Sequence, residues 1–308
     1  MKDLTDLLHT KYPLIQGGMA NIATHELAGA VSNAGGLGLV ASGGWDTERI
    51  RQEIRKTKKL TDKPFGLNIM LMSPYAEELT DLVIEEDVRV VTTGAGNPGP
   101  YMKKWKEAGT TVIPVVPSVA LAKRVVRFGA DAVIVEGTEA GGHIGEISTF
   151  SLVPQVADAV DVPVIAAGGI ADFRGVDAAF ALGASGVQIG TVLLASEECP
   201  IHDNYKQKII KAKDTETVVT GRETKAPVRV LKNKMAKKYI ELSRQGVGLE
   251  ELERMTLGSL SKAVFEGDAD EGSFMAGQVA GMVKSVRSVK DILDDMFMNS
   301  RAYKELHT

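Results

Sequence analysis

Val162-Pro163-Val164-Ile165-Ala166-Ala167-Gly168-Gly169-Ile170, followed one helix later by Gly186-Val187-Gln188-Ile189-Gly190-Thr191, is the part of the chain that decides the fold. Both runs are short, apolar and rich in β-branched residues, and both stop at glycine. Such a run reads as a strand buried on its two faces, which is what a parallel sheet covered by helices requires. The same pattern recurs upstream, so that eight strands are expected at 13–16, 37–41, 65–70, 89–92, 111–115, 132–135, 162–167 and 186–189. Their starts are spaced roughly 21 to 30 residues apart, enough for one strand, one crossover helix and two short loops. The spacers 24–34, 75–86, 101–108, 120–128 and 175–182 carry helix formers.

Periodicity alone leaves an open doubly wound sheet and a closed barrel as alternatives, and the strand ends separate them. Seven of the eight strands end in small or polar residues, among them Gly17-Gly18-Met19, Ser42-Gly43-Gly44, Asn68, Thr93-Gly94-Ala95-Gly96 and Glu136-Gly137. An open sheet concentrates special residues at one switch point, whereas a barrel uses the ends of many strands. The expectation is an α/β fold, a (β/α)8 TIM barrel, with a small, mostly helical cap inserted after strand 8. Residues 1–198 would form the barrel, 199–272 the cap, and helices within 273–308 would complete the barrel. Within the cap, charged helices are expected at 205–212 and 231–242, with no further parallel strand. The small and apolar residues of 273–283 would return the chain to the barrel.

The 308 residues exceed the roughly 250 that such a barrel needs. A formal charge of −4 gives no reason to expect nucleic acid as a partner, and a small molecule or a carrier protein fits better. One cysteine, Cys199, cannot make an internal disulfide and suits a reducing, cytoplasmic setting. No apolar run is long enough to cross a membrane or serve as a signal peptide.

The chemistry is expected at the carboxyl ends of the strands. Gly168, Gly169, Gly190 and Thr191 follow the last two strands, where barrels frequently hold a phosphate on main-chain N–H groups. Glycine-rich Glu136 to Gly145 carries His143, whose ordinary pKa near 6.5 suits proton transfer at neutral pH. Glu136 reads either as a partner for a cofactor hydroxyl or as an ion-paired carboxylate at the rim, while Glu139 and Glu146 read as solvated. Gly18, Met19 and Ala20 leave room for a flat ring and Asn68 can offer a donor and an acceptor to its edge, which fits a flavin, though either stretch alone could equally be core packing. Gly94-Ala95-Gly96-Asn97-Pro98-Gly99 satisfies a dinucleotide-binding pattern, but Pro98 and the missing downstream acid argue against that use. The segment reads instead as a wall of the substrate cleft. The basic stretch Arg222, Lys225, Arg229, Lys232, Lys234, Lys237 and Lys238 reads as a solvated face, or as a seat for a dinucleotide phosphate or an acidic carrier. His9, His25, His202 and His307 are assigned no chemistry, and no metal site is expected.

Gln16 to Ala20, Lys63 to Asn68, Thr92 to Pro98, Pro114 to Ser118, Glu136 to Gly145, Val164 to Asp172 and Phe274 to Gln278 together resemble the nitronate monooxygenase and enoyl-(acyl-carrier-protein) reductase II family. The stretches around Asn68, Gly94 and His143 are most similar to the reductase branch, the FabK type. The resemblance implies FMN held by Gly18, Met19, Ala20, Asn68, Glu136, Gly141, Gly142, Gly168, Gly169, Gln188, Gly190 and Thr191. It places His143 at the reactive face as the catalytic residue. Gly94, Ala95, Gly96, Met275 and Gln278 would contact the substrate, an enoyl thioester on acyl carrier protein or CoA. NADH or NADPH as hydride donor, a stimulating monovalent cation and a homodimer are further implications. Nitronate oxidation and quinone reduction are the alternatives within the same resemblance. The chain departs from the family pattern at Asn21, Phe173, Val192-Leu193 and Lys225-Ala226-Pro227, all near the mouth or cap.

Overall fold

The structure, a computed structural model, describes residues 3–306. His307, given no role above, lies outside them. The strands β1 (Leu14–Gln16), β2 (Gly38–Ala41), β3 (Phe65–Met70), β4 (Val90–Gly94), β5 (Thr111–Val116) and β6 (Val133–Glu136) follow the expected pattern. A two-residue strand β7 (Gly142–His143) leaves it, and β8 (Val164–Ala167) and β9 (Gly186–Ile189) resume it. No barrel strand end shifts from its expected place by more than two residues. All the barrel strands pair in parallel, in the order β1-β9-β8-β6-β5-β4-β3-β2. The ring closes between its outer members, where Ile15 bridges Leu37 and Gln16 N donates to Leu37 O at 2.9 Å.

Alternation along the strands sorts the core into two layers. Val133 and Val135 face the outer helices, while Ile134 between them faces the barrel axis. The inner layer is filled by Ile15, Leu39, Val90, Ile113, Ile134 and Ile165, so the barrel is a packed core rather than a pore. Leu4 and Leu8 belong to this inner layer. They come from a short helix, Leu4–Leu8, started by Asp3, whose Oδ1 accepts from Thr5 N at 2.8 Å. Because Leu4 packs against Gly186 at the start of β9, that helix plugs the amino-terminal end of the barrel and leaves the opposite end open.

The excursion after β9 contains more than helices. It opens with Thr191–Leu194 and Asp203–Ile210, then forms an antiparallel hairpin of β10 (Thr217–Thr220) and β11 (Val228–Leu231). The helices Lys234–Arg244 and Leu249–Thr256 follow. The helix expected from residue 231 therefore begins three residues late, because the β-branched run before it is a strand. β11 also pairs with β7, joining the hairpin to the loop after β6 in one three-stranded sheet. Apolar residues of the excursion, including Tyr205, Ile209 and Leu231, merge with the outer core. The chain returns through Met275, bridged to Val230, and a 3-10 turn Gln278–Met282. It ends on helices Val289–Met298 and Arg301–Leu306, where Phe297 stacks on Tyr12 with centroids 4.7 Å apart.

Candidate active site

A cavity of about 410 Å3 opens at the carboxyl ends of the barrel strands. One wall is made by the turns after β8 and β9. Gly168 and Gly169 hold φ of +91° and +79°, a region that side chains bearing a Cβ rarely enter. Among the described residues, no main-chain acceptor takes the N–H groups of Gly168, Gly169 or Gly190. These donors point to an anion as their partner, since main-chain groups in native structures are nearly always paired. Thr191 Oγ1 accepts from Gly277 N at 2.8 Å, which docks the returning chain beside this turn.

Glu139 is not solvated as expected. Its carboxylate accepts from Thr149 N at 2.8 Å and from Thr149 Oγ1 at 2.9 Å, capping the helix Thr149–Ala157 behind the glycine turn. Its main-chain oxygen accepts from Gln278 N at 2.9 Å. Glu146 is exposed, as expected, and pairs with Arg222 on the surface.

A second wall comes from the turn after β1, the neighbour of β9 in the ring, and from the turn after β3. A Cβ on Gly18 would stand 2.2 Å from Asn68 Cγ, so only glycine lets the first turn pass over that amide. Asn68 Nδ2 donates to Thr92 Oγ1 at 2.8 Å, which fixes the amide and turns its oxygen side away from that bond. Buried Gln16 anchors β1 by donating to Leu39 O at 2.9 Å. Met19 lies near Gly190, so the two walls meet across a span lined by small and soft side chains.

His143 stands between the walls. It reaches the cavity from β7, with Val228 of β11 as its partner in the sheet and Ile144 N donating to Pro227 O at 3.1 Å. Surrounding protein disfavours the imidazolium and holds the pKa below its ordinary 6.5, so the ring is neutral at pH 7. Glu136 ends β6 on the same cavity, half-buried and without a hydrogen-bond partner among the described residues. Burial pushes its carboxyl up to about 7.

All twelve residues expected to hold the cofactor line this one cavity, as do Gly94, Ala95 and Met275. Gly96 and Gln278 do not. Gly96 is exposed beside Leu71, and the Gln278 side chain is exposed where the 3-10 turn begins. The basic stretch also divides. Lys234 pairs with Asp270 and Arg222 with Glu146 on the surface, but Arg229 is buried and does not belong to a solvated face. Sequence patterning missed the roles of Glu139, Thr149 and Arg229, because acids and bases are by default exposed residues. The valine-rich β10 and β11 flanking Gly221 and Pro227 were the available signal for the hairpin that buries Arg229.

The nitronate monooxygenase sequence model matches residues 1–83 and 75–299, nearly the whole chain. The chain belongs to the nitronate monooxygenase family. FabK from Thermotoga maritima is 51% identical and superimposes with a TM-score of 0.94, over 99% of this chain and 96% of that one. A probable nitronate monooxygenase of Staphylococcus saprophyticus is 35% identical, covering 91% of this chain and 92% of the relative. A (3aS,4S,5R,7aS)-5-hydroxy-7a-methyl-1-oxo-octahydro-1H-indene-4-carboxyl-CoA dehydrogenase of Rhodococcus jostii is 34% identical, covering 94% and 93%. As a member of the nitronate monooxygenase family the chain is a flavin-dependent oxidoreductase. The donors of Gly168, Gly169 and Gly190 fit the phosphate of a flavin nucleotide, and the Gly18–Asn68 wall fits its ring.

The departures from the family pattern lie at the rim of the cavity, behind its glycine turns or on the surface. Asn21 has φ of +61° and its Nδ2 donates to Ser261 Oγ at 3.3 Å, joining the first barrel turn to the excursion. Val192 and Leu193 are buried behind the phosphate turn, and Phe173 is exposed at the start of its helix.

Proposed function

We propose that this chain is an FMN-dependent enoyl-thioester reductase that takes hydride from NADH or NADPH and serves fatty acid synthesis. The observation that carries the reading is His143, set in a cavity another wall of which presents unpartnered main-chain donors. Its support from relatives is the high identity with FabK. Bound FMN supplies the hydride chemistry, and the protein supplies binding, orientation and electrostatics. Gly168, Gly169 and Gly190 bind the phosphate, Glu136 takes a hydroxyl of the chain between phosphate and ring, and Asn68 orients the ring edge.

Hydride addition to the β-carbon of an enoyl thioester builds negative charge on the carbonyl oxygen. His143 donates an N–H to that oxygen, an arrangement that stabilises the developing charge more than the starting thioester, and the enolate then takes a proton from solvent at its α-carbon to give the saturated thioester. Gly94, Ala95 and Met275 flank the acyl chain. A cytoplasmic homodimer acting on acyl carrier protein or CoA thioesters, stimulated by a monovalent cation, completes the proposal, with 199–272 as a cap on the barrel.

A second reading, nitronate oxidation, is supported by the same placement of His143 in the cavity, because an imidazole there could take a proton from a nitroalkane carbon. Anaerobic mixing separates the two. NADH should bleach the visible flavin absorbance, and crotonyl-CoA should restore it without oxygen. Bleaching by nitronate alone, with no response to NADH, would defeat the reductase. His143→Ala should slow the restoration step by about 100-fold, the scale of a lost oxyanion donor, while flavin stays bound.

A further inference from the structure

Arg229 is a buried cation that the chemistry above does not use. It sits in β11, 6% exposed, and among the described residues it makes no ion pair with a carboxylate. Its side chain serves neutral acceptors instead. Nε donates to Thr138 O at 3.0 Å and Nη1 to Thr217 Oγ1 at 3.1 Å. Burying a guanidinium in this way is unfavourable unless its hydrogen bonds are well made, so what it fastens matters. Thr138 lies at the start of the glycine-rich loop that carries His143. Thr217 is on the outer strand of the hairpin, and the main chain of Arg229 itself pairs with Gly142, one residue from His143.

Between those two attachment points the loop contains Gly141 and Gly142, the latter at φ +77°. Glu139 pins the middle of this segment to Thr149 and Gln278, which leaves the two glycines beyond it as the freest part of its backbone. We propose that Arg229 is a positioning residue for His143: its guanidinium ties the start of the loop to the hairpin that pairs with the loop's end, and so sets where the imidazole stands. The inference rests on the proposed function only in taking His143 as the group that meets substrate. Lysine offers one point of charge where the guanidinium forks to two acceptors, so it is not an equivalent here.

The test compares FMN-loaded wild type with Arg229→Met, which keeps bulk and removes the donors, with Arg229→Lys, and with the milder Thr217→Val. Two quantities are read: the imidazole titration of His143 by NMR, assigned by its absence in His143→Asn, and the rate at which crotonyl-CoA reoxidises NADH-reduced flavin. In Arg229→Met the flavin should remain bound and be reduced by NADH at close to the normal rate. Reoxidation should fall about 10- to 100-fold, the range expected when a reacting group is displaced by about 1 Å. The His143 titration should depart from its wild-type value as the imidazole leaves its place, and Arg229→Lys should recover neither quantity. Thr217→Val should shift both in the same direction by less. A folded, flavin-loaded Arg229→Met with wild-type titration and reoxidation overturns the proposal. If that variant does not fold, unchanged values in Thr217→Val overturn it equally. Should His143→Ala reoxidise normally, the functional reading fails while the titration still reports on position.

Discussion

Replacing Glu136 by glutamine should stabilise the flavin-free protein, by an amount that grows as the pH rises from about 4.5 to about 7 and is complete above that. In the fold this carboxyl has a pKa of about 7 against an ordinary 4.5, because burial at the end of β6 disfavours its charge. The native state therefore holds a proton that the unfolded chain has released between those two values. Stability is lost as the pH rises from about 4.5 to about 7, and stays lower above that. The full difference corresponds to about 3 kcal/mol at about 1.4 kcal/mol per pKa unit, and water reaching a half-buried carboxylate trims it to about 1 to 3 kcal/mol. Glutamine has the same shape and no charge to lose. Denaturant titrations of both proteins at pH 4.5 and pH 8.5 should show a gain of a few tenths of a kcal/mol at the lower pH and the full gain at the higher. An equal gain at both pH values, or destabilisation at pH 8.5, would refute a burial penalty on Glu136.

Gly169→Ala should weaken FMN binding by about tenfold or more, measured by equilibrium dialysis. A Cβ at φ +79° costs about 1 to 2 kcal/mol and turns the N–H away from the phosphate. Unaltered affinity would mean that the phosphate lies elsewhere. Leu4→Ala should cost about 2 to 5 kcal/mol by leaving a hole in the inner layer of the barrel, read by guanidinium unfolding. Cys199 is 1% exposed with its thiol pushed up to about 12, so a disulfide reagent should label it only after unfolding. Fast labelling of the native protein would show the region opening readily.

The barrel was legible because its strands are buried on both faces, so their apolar runs are continuous and their ends are marked by glycine. Gly168, Gly169 and Gly190 were legible for the same reason, since residues without side chains at strand ends have few other uses. The hairpin β10–β11 was hidden by the lysines and arginines around it, although Val218, Val219, Val228 and Val230 carry the strand pattern. Glu139 and Arg229 were misread as surface charges. Their partners, Thr149 and Thr138, are set by tertiary contacts that no local spacing encodes. Gln278 failed from the opposite cause. A motif residue was taken to act through its side chain, whereas it is the main-chain N–H that docks on Glu139.

The way the ring closes bears on how the chain comes to be folded. β1 finds one neighbour nearby through Leu37, but its other neighbour, β9, lies about 170 residues further on. As the chain emerges from a ribosome, Leu4, Leu8 and the open flank of β1 must wait until most of the protein has been made. An exposed strand flank in that interval is sticky toward other nascent chains. Slowed synthesis within the barrel half should raise aggregation, while a pause after β9 should be harmless.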